Sequence, residues 1–322
     1  MLDTANNVFT PIRLDRASWR RPLISIVITH HNYSEFVHDA ILSILDQTHE
    51  NWELVVVDDA SSPEHRQRLE DTLSRIRDER IRYLPLAENV GQVLAFFAGF
   101  DTTSGDFVCL LDPDDRYAET FLEEAIAVHL NEIVSCPVVS TDQCLLTKNG
   151  LLSGGYRADK KLPQYQTKNG VVRLGEQRAS TYFIPANLHG WHYASTSAMM
   201  FRRAALHYLR PHKLPPFRGE FDTYMGHGAH MLGGTLFYTK PLVYRMLHGS
   251  NAWHTSEFYS SFQKRARPDA DARGRTAREL AREVLLRNNP PSIFTSSRIT
   301  KVVNKWKRSI LKRLPRNSNL QA

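Results

Sequence analysis

The sequence predicts an α/β protein with a doubly wound, mostly parallel sheet flanked by helices. Short runs of apolar and β-branched residues recur along the first 111 residues, and each is followed by a stretch with helical spacing of apolar residues. Polar residues cluster directly after each run, as expected where a strand ends. The predicted strands cover residues 23–29, 54–57, 80–84 and 107–111. Strands that alternate with helices are typical of a parallel sheet covered on both faces.

The helices between these strands have recognisable starting residues. Ser34 is the predicted N-cap of a helix whose apolar residues recur at helical spacing between 36 and 45. Ser62-Pro63 predicts the next start, because proline fits the first helical position, and this helix extends to about residue 78. Asn89-Val90-Gly91 precedes an apolar helix over 92–100, and a fourth helix covers 121–130.

The second half of the chain is less regular. Residues 138–146 predict a strand at the edge of the sheet, followed by a hairpin turn at Asn149-Gly150. Residues 272–287 predict a helix that Asn288-Asn289-Pro290-Pro291 ends.

The positive charge of the chain is concentrated at its C-terminal end. The 322 residues carry a net charge of +7, but residues 284–322 contain nine Lys or Arg and no Asp or Glu. The remainder, with 32 basic and 34 acidic residues, is close to −2. We therefore expect no nucleic-acid partner, because a nucleic-acid-binding domain carries its positive charge on the folded body.

Targeting signals and disulfide patterns are not evident in the sequence. No run of eighteen apolar residues suggests a membrane-spanning helix, and residues 1–21 have no apolar core of a signal peptide. The three cysteines, Cys109, Cys136 and Cys144, have no metal-binding spacing and are typical of reduced residues. We expect a cytoplasmic protein.

Three carboxylates follow the apolar run that ends at Leu111. Asp112, Asp114 and Asp115 lie within four positions, and Pro113 between them ends the strand. Open α/β sheets bind ligands at this end of their strands. Carboxylates this close repel one another, so the group suits a hard cation or a row of hydrogen-bond donors. The alternative is an ordinary turn rich in Asp and Pro.

Other candidate ligand residues also follow predicted strands. Residues 29–32, Asp58-Asp59, and Asn89 with Gly91 each lie where a strand ends. Neither the glycine-rich fingerprint of dehydrogenases nor a phosphate-binding P-loop occurs in the sequence. Both nucleotide-binding classes are therefore disfavoured.

The motifs over residues 22–130 together resemble the nucleotide-binding half of family 2 glycosyltransferases, which have the GT-A fold. Each motif is weak alone, whereas their order and spacing are specific. They are the loop Thr29-His30-His31-Asn32, the strand end Val57-Asp58-Asp59-Ala60-Ser61, the turn Asn89-Val90-Gly91, the pair Gly105-Asp106, and Leu111-Asp112-Pro113-Asp114-Asp115.

The resemblance implies a nucleotide-sugar site. Asp59 is similar to the carboxylate that accepts a hydrogen bond from the uracil or thymine imide, and Asn89 falls where the family contacts base or ribose. Asp112-x-Asp114 resembles the DxD motif, with Asp114 or Asp115 on a manganese or magnesium ion. The predicted nucleotide-sugar contacts are Thr29, His31, Asn32, Asp59, Asn89, Gly91, Asp112 and Asp114. This chain departs from the family at Phe96-Phe97, where an arginine is common.

The resemblance also places a catalytic base in the second half. Asp222 is the first choice and Glu220 the second, because the family has an acid at this helix start; a helix N-terminal acid favoured by the dipole is the alternative. His248, in a Pro-Leu-x-x-Tyr-Arg-like motif, would complete the metal site or touch the diphosphate. Trp191 and Tyr193, beside the aromatic-rich residues 151–190, are predicted to contact the acceptor or to be ordinary core aromatics.

The basic tail predicts an amphipathic helix. Over residues 298–316, an apolar stripe through Trp306 is surrounded by Lys and Arg, a pattern typical of a helix on an anionic membrane. A helix docked on the body is the alternative, and nucleic acid a third interpretation.

Together these features predict four regions. They are a lead-in over 1–21, a nucleotide-sugar-binding half over 22–130, an acceptor-binding and catalytic half over 131–258, and a helical basic tail over 259–322.

The activity implied by the resemblance is an inverting, metal-dependent transfer from a UDP- or dTDP-sugar. The expected acceptor is a glycan or lipid-linked glycan in surface polysaccharide synthesis, with peripheral contact to the inner face of the cell membrane. Two alternatives are a non-catalytic GT-A-like sugar-binding or scaffold domain and a polyprenyl-phosphate sugar synthase.

Overall fold

The computed structural model describes residues 21–131, 134–147, 150–154, 172–174, 181–188, 193–248 and 270–288. Its strands are β1 Ile24–His30, β2 Trp52–Asp58, β3 Ile81–Pro85, β4 Phe107–Leu111, β5 Asp115–Tyr117, β6 Val138–Thr147, β7 Gly150–Gly154, β8 Val172–Leu174, β9 Thr181–Ile184, β10 Met199–Arg202 and β11 Thr235–Leu247. Its helices are α1 Val37–Leu45, α2 Pro63–Ile76, α3 Gln92–Asp101, α4 Phe121–His129, α5 Arg203–Leu206, α6 His227–Gly233 and α7 Ala270–Asn288.

One mixed sheet runs through both predicted halves of the chain. Its strand order is β3-β2-β1-β4-β10-β6-β11-β9-β8, with β5 paired to β11 and β7 paired to β6. The first four strands are parallel, as predicted, whereas β10 runs antiparallel to both β4 and β6. The predicted fold class is confirmed, and parallel pairing joins the four N-terminal strands and also β6 with β11 in the second half.

The position predicted for β6 was wrong. This strand lies between β10 and β11 and not at the edge of the sheet. Its residues 138–145 are buried on both faces, which an interior strand requires. The hairpin predicted at Asn149-Gly150 agrees with the antiparallel pairing of β6 and β7.

Alternate residues of the parallel strands fill two apolar layers, one on each face of the sheet. Val27, Val57 and Leu110 face α3, whereas Ile26, Val56 and Leu111 face α1 and α4. Gly99 allows α3 to approach the sheet closely, because a Cβ there would lie 2.8 Å from methyl groups of both Val27 and Val57. The strand ends are thereby held between two packed layers.

Of two helix starts predicted from the sequence, the structure confirms one. Pro63 occupies the first turn of α2, as predicted. Ser34 does not cap α1, which begins at Val37, and the Ser34 hydroxyl instead lies 2.8 Å from Nδ1 of His65. This long-range contact holds Ser34 outside the helix.

The predicted C-terminal helix is confirmed as α7. Its Ala277, Leu280, Ala281, Val284 and Leu285 recur at helical spacing and are buried in the layer that contains α3 and α6. None of the described helices combines the length and apolar content needed to cross a bilayer. The basic stripe predicted over 298–316 lies outside the described residues.

Candidate active site

A cavity of about 560 Å³ lies at the carboxyl ends of β1, β2 and β4 and is closed on the other side by residues 218–222. The structure brings ten of the predicted site residues together here. They are Thr29, His31, Asp59, Asn89, Gly91, Asp112, Asp114, Asp115, Glu220 and Asp222. The strand-end loops therefore converge as the parallel topology requires.

A buried histidine connects two of these loops beneath the cavity. Nδ1 of His30 lies 3.1 Å from Oδ1 of Asp58, and Nε2 accepts the backbone N–H of Tyr33 at 3.3 Å. Because Nε2 accepts, we assign the ring proton to Nδ1, which donates to Asp58. Burial opposes ionisation of Asp58, but hydrogen bonds from His30, Ser61 and Arg66 lower its pKa to about 2. Asp58 is thus a structural anion under the site.

His31 and Asn32 organise the loop after β1. Nδ1 of His31 lies 2.8 Å from the carbonyl oxygen of Asp59. Asn32 has a φ of 59°, a left-handed conformation that asparagine tolerates, and its Oδ1 accepts the backbone N–H of Ser62 at 2.8 Å. Asn32 does not line the cavity. In the structure Asn32 joins two loops, and its contact with the nucleotide-sugar stays a prediction.

Asp59 holds the loop that contains Asn89. Its Oδ1 accepts the backbone N–H of Val90 at 2.7 Å, and its Oδ2 accepts that of Gly91 at 2.9 Å. A carboxylate has about four lone-pair positions, so these two bonds leave acceptor capacity for a ligand. Asp59 can therefore shape the loop and still accept a hydrogen bond in the cavity.

Ser197 connects the carboxylates that follow β4. Its Oγ accepts the backbone N–H of Asp112 at 3.1 Å and donates to Oδ2 of Asp115 at 2.6 Å. Asp115 is 3% exposed, and the backbone N–H of Met246 donates to its Oδ1 at 3.3 Å. The Asp112 side chain accepts a hydrogen bond from Nε2 of Gln92 at 2.7 Å. Asp115 is largely committed to the protein, whereas Asp112 and Asp114 face the cavity.

The carboxylates raise one another's proton affinity. Burial raises the pKa of Asp112 well above its usual value, and the charges of Asp115, Asp114 and Asp222 add to this effect. Burial and the charge of Asp114 raise the pKa of Asp115 to about 7, while the Arg245 guanidinium acts in the opposite direction. The ionised forms of these carboxylates therefore destabilise one another, and a bound cation would stabilise them.

His248 lies beside the acidic cluster, as its predicted role requires. Its Nε2 is 3.0 Å from Oδ2 of Asp114. The imidazole stacks on Phe36 with ring centroids 4.1 Å apart and meets the edge of Tyr33 at 5.9 Å. These two aromatic rings, which the sequence did not single out, fix the plane of the imidazole.

The side chains around Asp114 fit a cation whose remaining coordination positions would be filled by phosphates of the bound nucleotide. Within the described part of the chain, no three His, Cys, Asp or Glu side chains converge on one metal position. Magnesium in nucleotide sites is commonly bound through one or two carboxylates together with substrate phosphates. Asp114 with His248 offers such a partial set, whereas Asp115 is held by Ser197 and Met246. The residues fit a metal bound with the nucleotide.

The two candidate bases occupy different environments. Asp222 begins a π-helical turn, Asp222–Gly226, that continues into α6, and its Oδ1 accepts the backbone N–H of Thr223 at 2.7 Å. Turns of this kind are frequent at functional sites. Glu220 instead forms an ion pair with Arg273, whose Nε is 3.1 Å from Oε1. The geometry favours Asp222 as the acid that faces a ligand.

Two arginines of the cavity were missed in the sequence. Arg245, in β11, lies opposite Asp115 in the antiparallel pairing of β5 with β11. Arg218 donates to the carbonyl oxygen and to Oδ1 of Asn89, the latter at 3.1 Å. Arg245 belongs to the motif that pointed to His248, which could have indicated it. No sequence signal distinguishes Arg218.

The departure at Phe96-Phe97 has a packing explanation. Both rings are buried, at 0% and 2% exposure, and Phe96 packs edge-on against Phe221 with centroids 4.9 Å apart. Phe221 directly precedes Asp222. Where an arginine is common in the family, this chain thus has an apolar contact between α3 and the segment that contains the candidate base.

Tyr193, one of the two aromatic residues predicted for the acceptor, is not among the residues that line the cavity. Tyr193 is 1% exposed and packs in the core beside Gly226 and Met199, so it has no free face for a sugar. The predicted role of Tyr193 therefore does not fit its position. Trp191 lies outside the described residues.

Comparison with known proteins relates the chain to enzymes of sugar transfer. TuaG of Bacillus subtilis, a teichuronic acid biosynthesis glycosyltransferase by its name, is 32% identical over 133 residues, which span 41% of this chain and 51% of TuaG. An uncharacterized glycosyltransferase of Nostoc sp. is 28% identical over 249 residues, which span 77% of this chain and 71% of the relative. WfgD of Escherichia coli, named UDP-Glc:alpha-D-GlcNAc-diphosphoundecaprenol beta-1,3-glucosyltransferase, is 33% identical over 113 residues, or 35% of this chain and 43% of WfgD.

The fold is also similar to a solved structure. S. aureus TarS 1-349 in complex with UDP-GlcNAc superposes with a TM-score of 0.54 at 15% identity, covering 81% of this chain and 70% of the other. At this identity the likeness shows a GT-A fold and no more. The family model described as glycosyl transferase family 2 matches residues 25–209, more than half of the chain. Its residues include every strand-end loop of the cavity from Thr29 to Asp115, and the chain belongs to the family 2 glycosyltransferases.

Proposed function

We propose that this family 2 glycosyltransferase is an inverting enzyme that uses a UDP- or dTDP-sugar as donor. The acceptor would be a hydroxyl of a glycan or lipid-linked glycan in surface polysaccharide synthesis. The observation that carries the proposal is the convergence of Asp59, Asp112, Asp114 and Asp222 on one cavity. A sugar-binding module would need neither the acidic cluster nor a separate acid opposite to it.

Asp59 supports the choice of a pyrimidine base with an imide. The N3–H of uracil or thymine donates a hydrogen bond, and a carboxylate oxygen can accept it. The backbone N–H groups of Val90 and Gly91 hold the Asp59 carboxylate in place before any ligand binds. A preorganised acceptor of this kind favours UDP over CDP, because N3 of cytosine has no proton to donate.

Asp222 is the proposed general base. It would take the proton of the acceptor hydroxyl while that oxygen forms a bond to the anomeric carbon and the bond from this carbon to the diphosphate oxygen breaks. Attack from the face opposite to the leaving group inverts the anomeric configuration. Asp222 and Asp112 line the same cavity, and the charge of Asp222 acts on Asp112.

A divalent cation, manganese or magnesium, would neutralise charge on the departing diphosphate. Asp114 and His248 are the side chains proposed to hold it. Arg245, which already acts electrostatically on Asp112 and Asp115, offers a further positive charge on the same side.

Names of the relatives support the acceptor class. The names of TuaG and WfgD refer to teichuronic acid and to a diphosphoundecaprenol-linked sugar, and WcaA of Escherichia coli is named for colanic acid biosynthesis. Because the chain spans only about half of TuaG, the acceptor and linkage are part of the proposal.

Calorimetry with UDP, dTDP and CDP in the presence of manganese tests the donor. We expect UDP or dTDP to bind at least about tenfold more tightly than CDP, a difference of about 1.4 kcal/mol. UDP-sugars that bind should then release UDP during incubation. Equal binding of UDP and CDP would contradict the role of Asp59, and donor binding without any turnover would favour a sugar-binding module.

A further inference from the structure

The C-terminal helix contacts a residue that lines the cavity, although the helix lies beyond the part of the chain that the family model matches. That match ends at residue 209, whereas α7 covers Ala270–Asn288. Nε of Arg273, in the first turns of α7, lies 3.1 Å from Oε1 of Glu220, which lines the cavity. The two side chains are 33% and 15% exposed, so the ion pair is partly shielded from water.

Glu220 has an unusual backbone that needs support from its surroundings. Its φ of 59° lies in the left-handed region, which a glutamate rarely adopts. Its carbonyl oxygen accepts the backbone N–H of Tyr224 at 2.9 Å, inside the π-helical turn that Asp222 begins. The conformation of Glu220 is therefore coupled directly to the backbone that positions Asp222.

A well-packed helix presents Arg273 to Glu220. Ala277, Ala281 and Val284 are buried against the layer of α3 and α6, and a Cβ on Gly228 would be 3.5 Å from Ala281. At the other end of α7, Nδ2 of Asn288 donates to the carbonyl oxygen of Tyr208 at 3.0 Å. Contacts at both ends of α7 thus hold the segment 208–228 in place.

We propose that Arg273 is a positioning residue for the candidate base. Its guanidinium would hold the Glu220 carboxylate and so keep the strained residue in the conformation that directs Asp222 into the cavity. It would also compensate a negative charge beside Asp112, Asp114 and Asp222. This inference rests on the proposed role of Asp222 and assigns to α7 a part in catalysis.

The test compares Arg273→Met with Arg282→Met in the full chain. Arg282 lies on the same helix and is exposed, so its substitution controls for general effects on α7. The probe is whichever of UDP-glucose and UDP-GlcNAc raises the melting temperature of the wild type more, and the measured quantity is UDP release. We expect Arg273→Met to lower kcat at least about tenfold, while its KM for the donor stays within about twofold of the wild-type value. Arg282→Met should match the wild type. Arg273→Lys should recover part of the lost kcat.

A double variant tests the route through Glu220. Glycine adopts the left-handed conformation without strain, so Glu220→Gly deletes the carboxylate and retains the backbone. If Arg273 acts through Glu220, the combination of Glu220→Gly with Arg273→Met should be no slower than Arg273→Met alone. Three results would each overturn this inference without affecting the proposed function. They are an unchanged kcat in Arg273→Met, an equal loss of kcat in Arg282→Met, and losses of kcat that multiply in the double variant. A wild type that binds neither UDP nor dTDP more tightly than CDP, and releases no UDP from either donor, would overturn the proposed function, and the inference with it.

Discussion

Nε2 of His248 lies 3.0 Å from Oδ2 of Asp114, and the two residues are 134 positions apart in the chain. The ring stands against Phe36, so its edge points at the carboxylate and not at the core. A partner of Asp114 that comes from the second half of the chain thus connects the two halves at the place where the diphosphate is expected.

This relationship predicts that nucleotide binding depends on a divalent metal through Asp114. UDP should bind at least about tenfold more tightly with manganese or magnesium than with a chelator, because the cation would relieve repulsion among the carboxylates. Asp114→Asn should remove most of that difference in calorimetry. Asp71→Asn, an exposed carboxylate on α2, is the matched control. Equal UDP affinity with and without metal in the wild type would contradict the metal role.

The assignment of the base leads to a second prediction. Asp222→Asn should leave the affinity for UDP nearly unchanged and lower sugar transfer at least about a hundredfold, since that is the usual contribution of a general base. Initial rates and UDP titrations on the same preparation measure both quantities. If Glu220→Gln abolishes transfer and Asp222→Asn turns over normally, Asp222 is not the general base and the assignment is wrong.

The strand-end loops could be predicted because local sequence determines them. Each motif from Thr29 to Asp115 follows a buried strand, and parallel strands bring their carboxyl ends to one edge whatever the rest of the chain does. Glu220 and Asp222 were instead identified through the family resemblance, which implies an acid at this helix start. Sequence reasoning thus identified residues of the cavity and the end of the sheet at which they lie, but not their hydrogen-bond partners.

Contacts over long sequence distances could not be predicted. Arg273 reaches Glu220 only because α7 packs against α6, and nothing in either local sequence indicates that pairing. Tyr193 was predicted to contact the acceptor, with a core aromatic as the alternative, and the close approach allowed by Gly226 places it in the core. Ser34 has the residue type of an N-cap, yet its contact with His65 decides its place. In each case tertiary packing overrides the local signal.

A buried histidine outside the site predicts a pH-dependent stability. Burial, with a smaller effect of Arg202, lowers the pKa of His129 to about 3, while Nε2 donates to the carbonyl oxygen of Met200 at 2.9 Å. In the unfolded chain the same histidine binds a proton near pH 6.5. Between pH 6.5 and pH 3 the unfolded state therefore holds more protons than the folded state, and the stability of the fold falls as the pH falls.

Urea unfolding of the wild type and His129→Gln at pH 7, 6 and 5 checks this expectation. Glutamine keeps a hydrogen-bond donor but does not titrate. Relative to the variant, the wild type should lose up to about 1.4 kcal/mol for each pH unit below 6.5. His38→Gln, which replaces a histidine that is 54% exposed and retains His129, should keep the pH dependence of the wild type. Parallel curves for the wild type and His129→Gln would show that His129 does not control acid stability.

The basic tail gives the last prediction, which concerns where the enzyme acts. Residues 298–316 carry eight positive charges and no negative ones around an apolar stripe, whereas the body outside residues 284–322 is close to −2. An amphipathic helix of this kind gains from apolar burial and from attraction to anionic lipid, and salt screens the second contribution. We therefore expect the full chain to co-sediment with phosphatidylglycerol vesicles at low salt, and a truncation after Asn289, which retains α7, to stay in the supernatant. Trp306→Glu should weaken sedimentation without changing UDP affinity, because the indole would sit at the level of the lipid headgroups. If the truncated chain binds vesicles as well as the full chain, the tail is not the membrane contact, and if neither binds, the proposal of a lipid-linked acceptor loses its support from the tail.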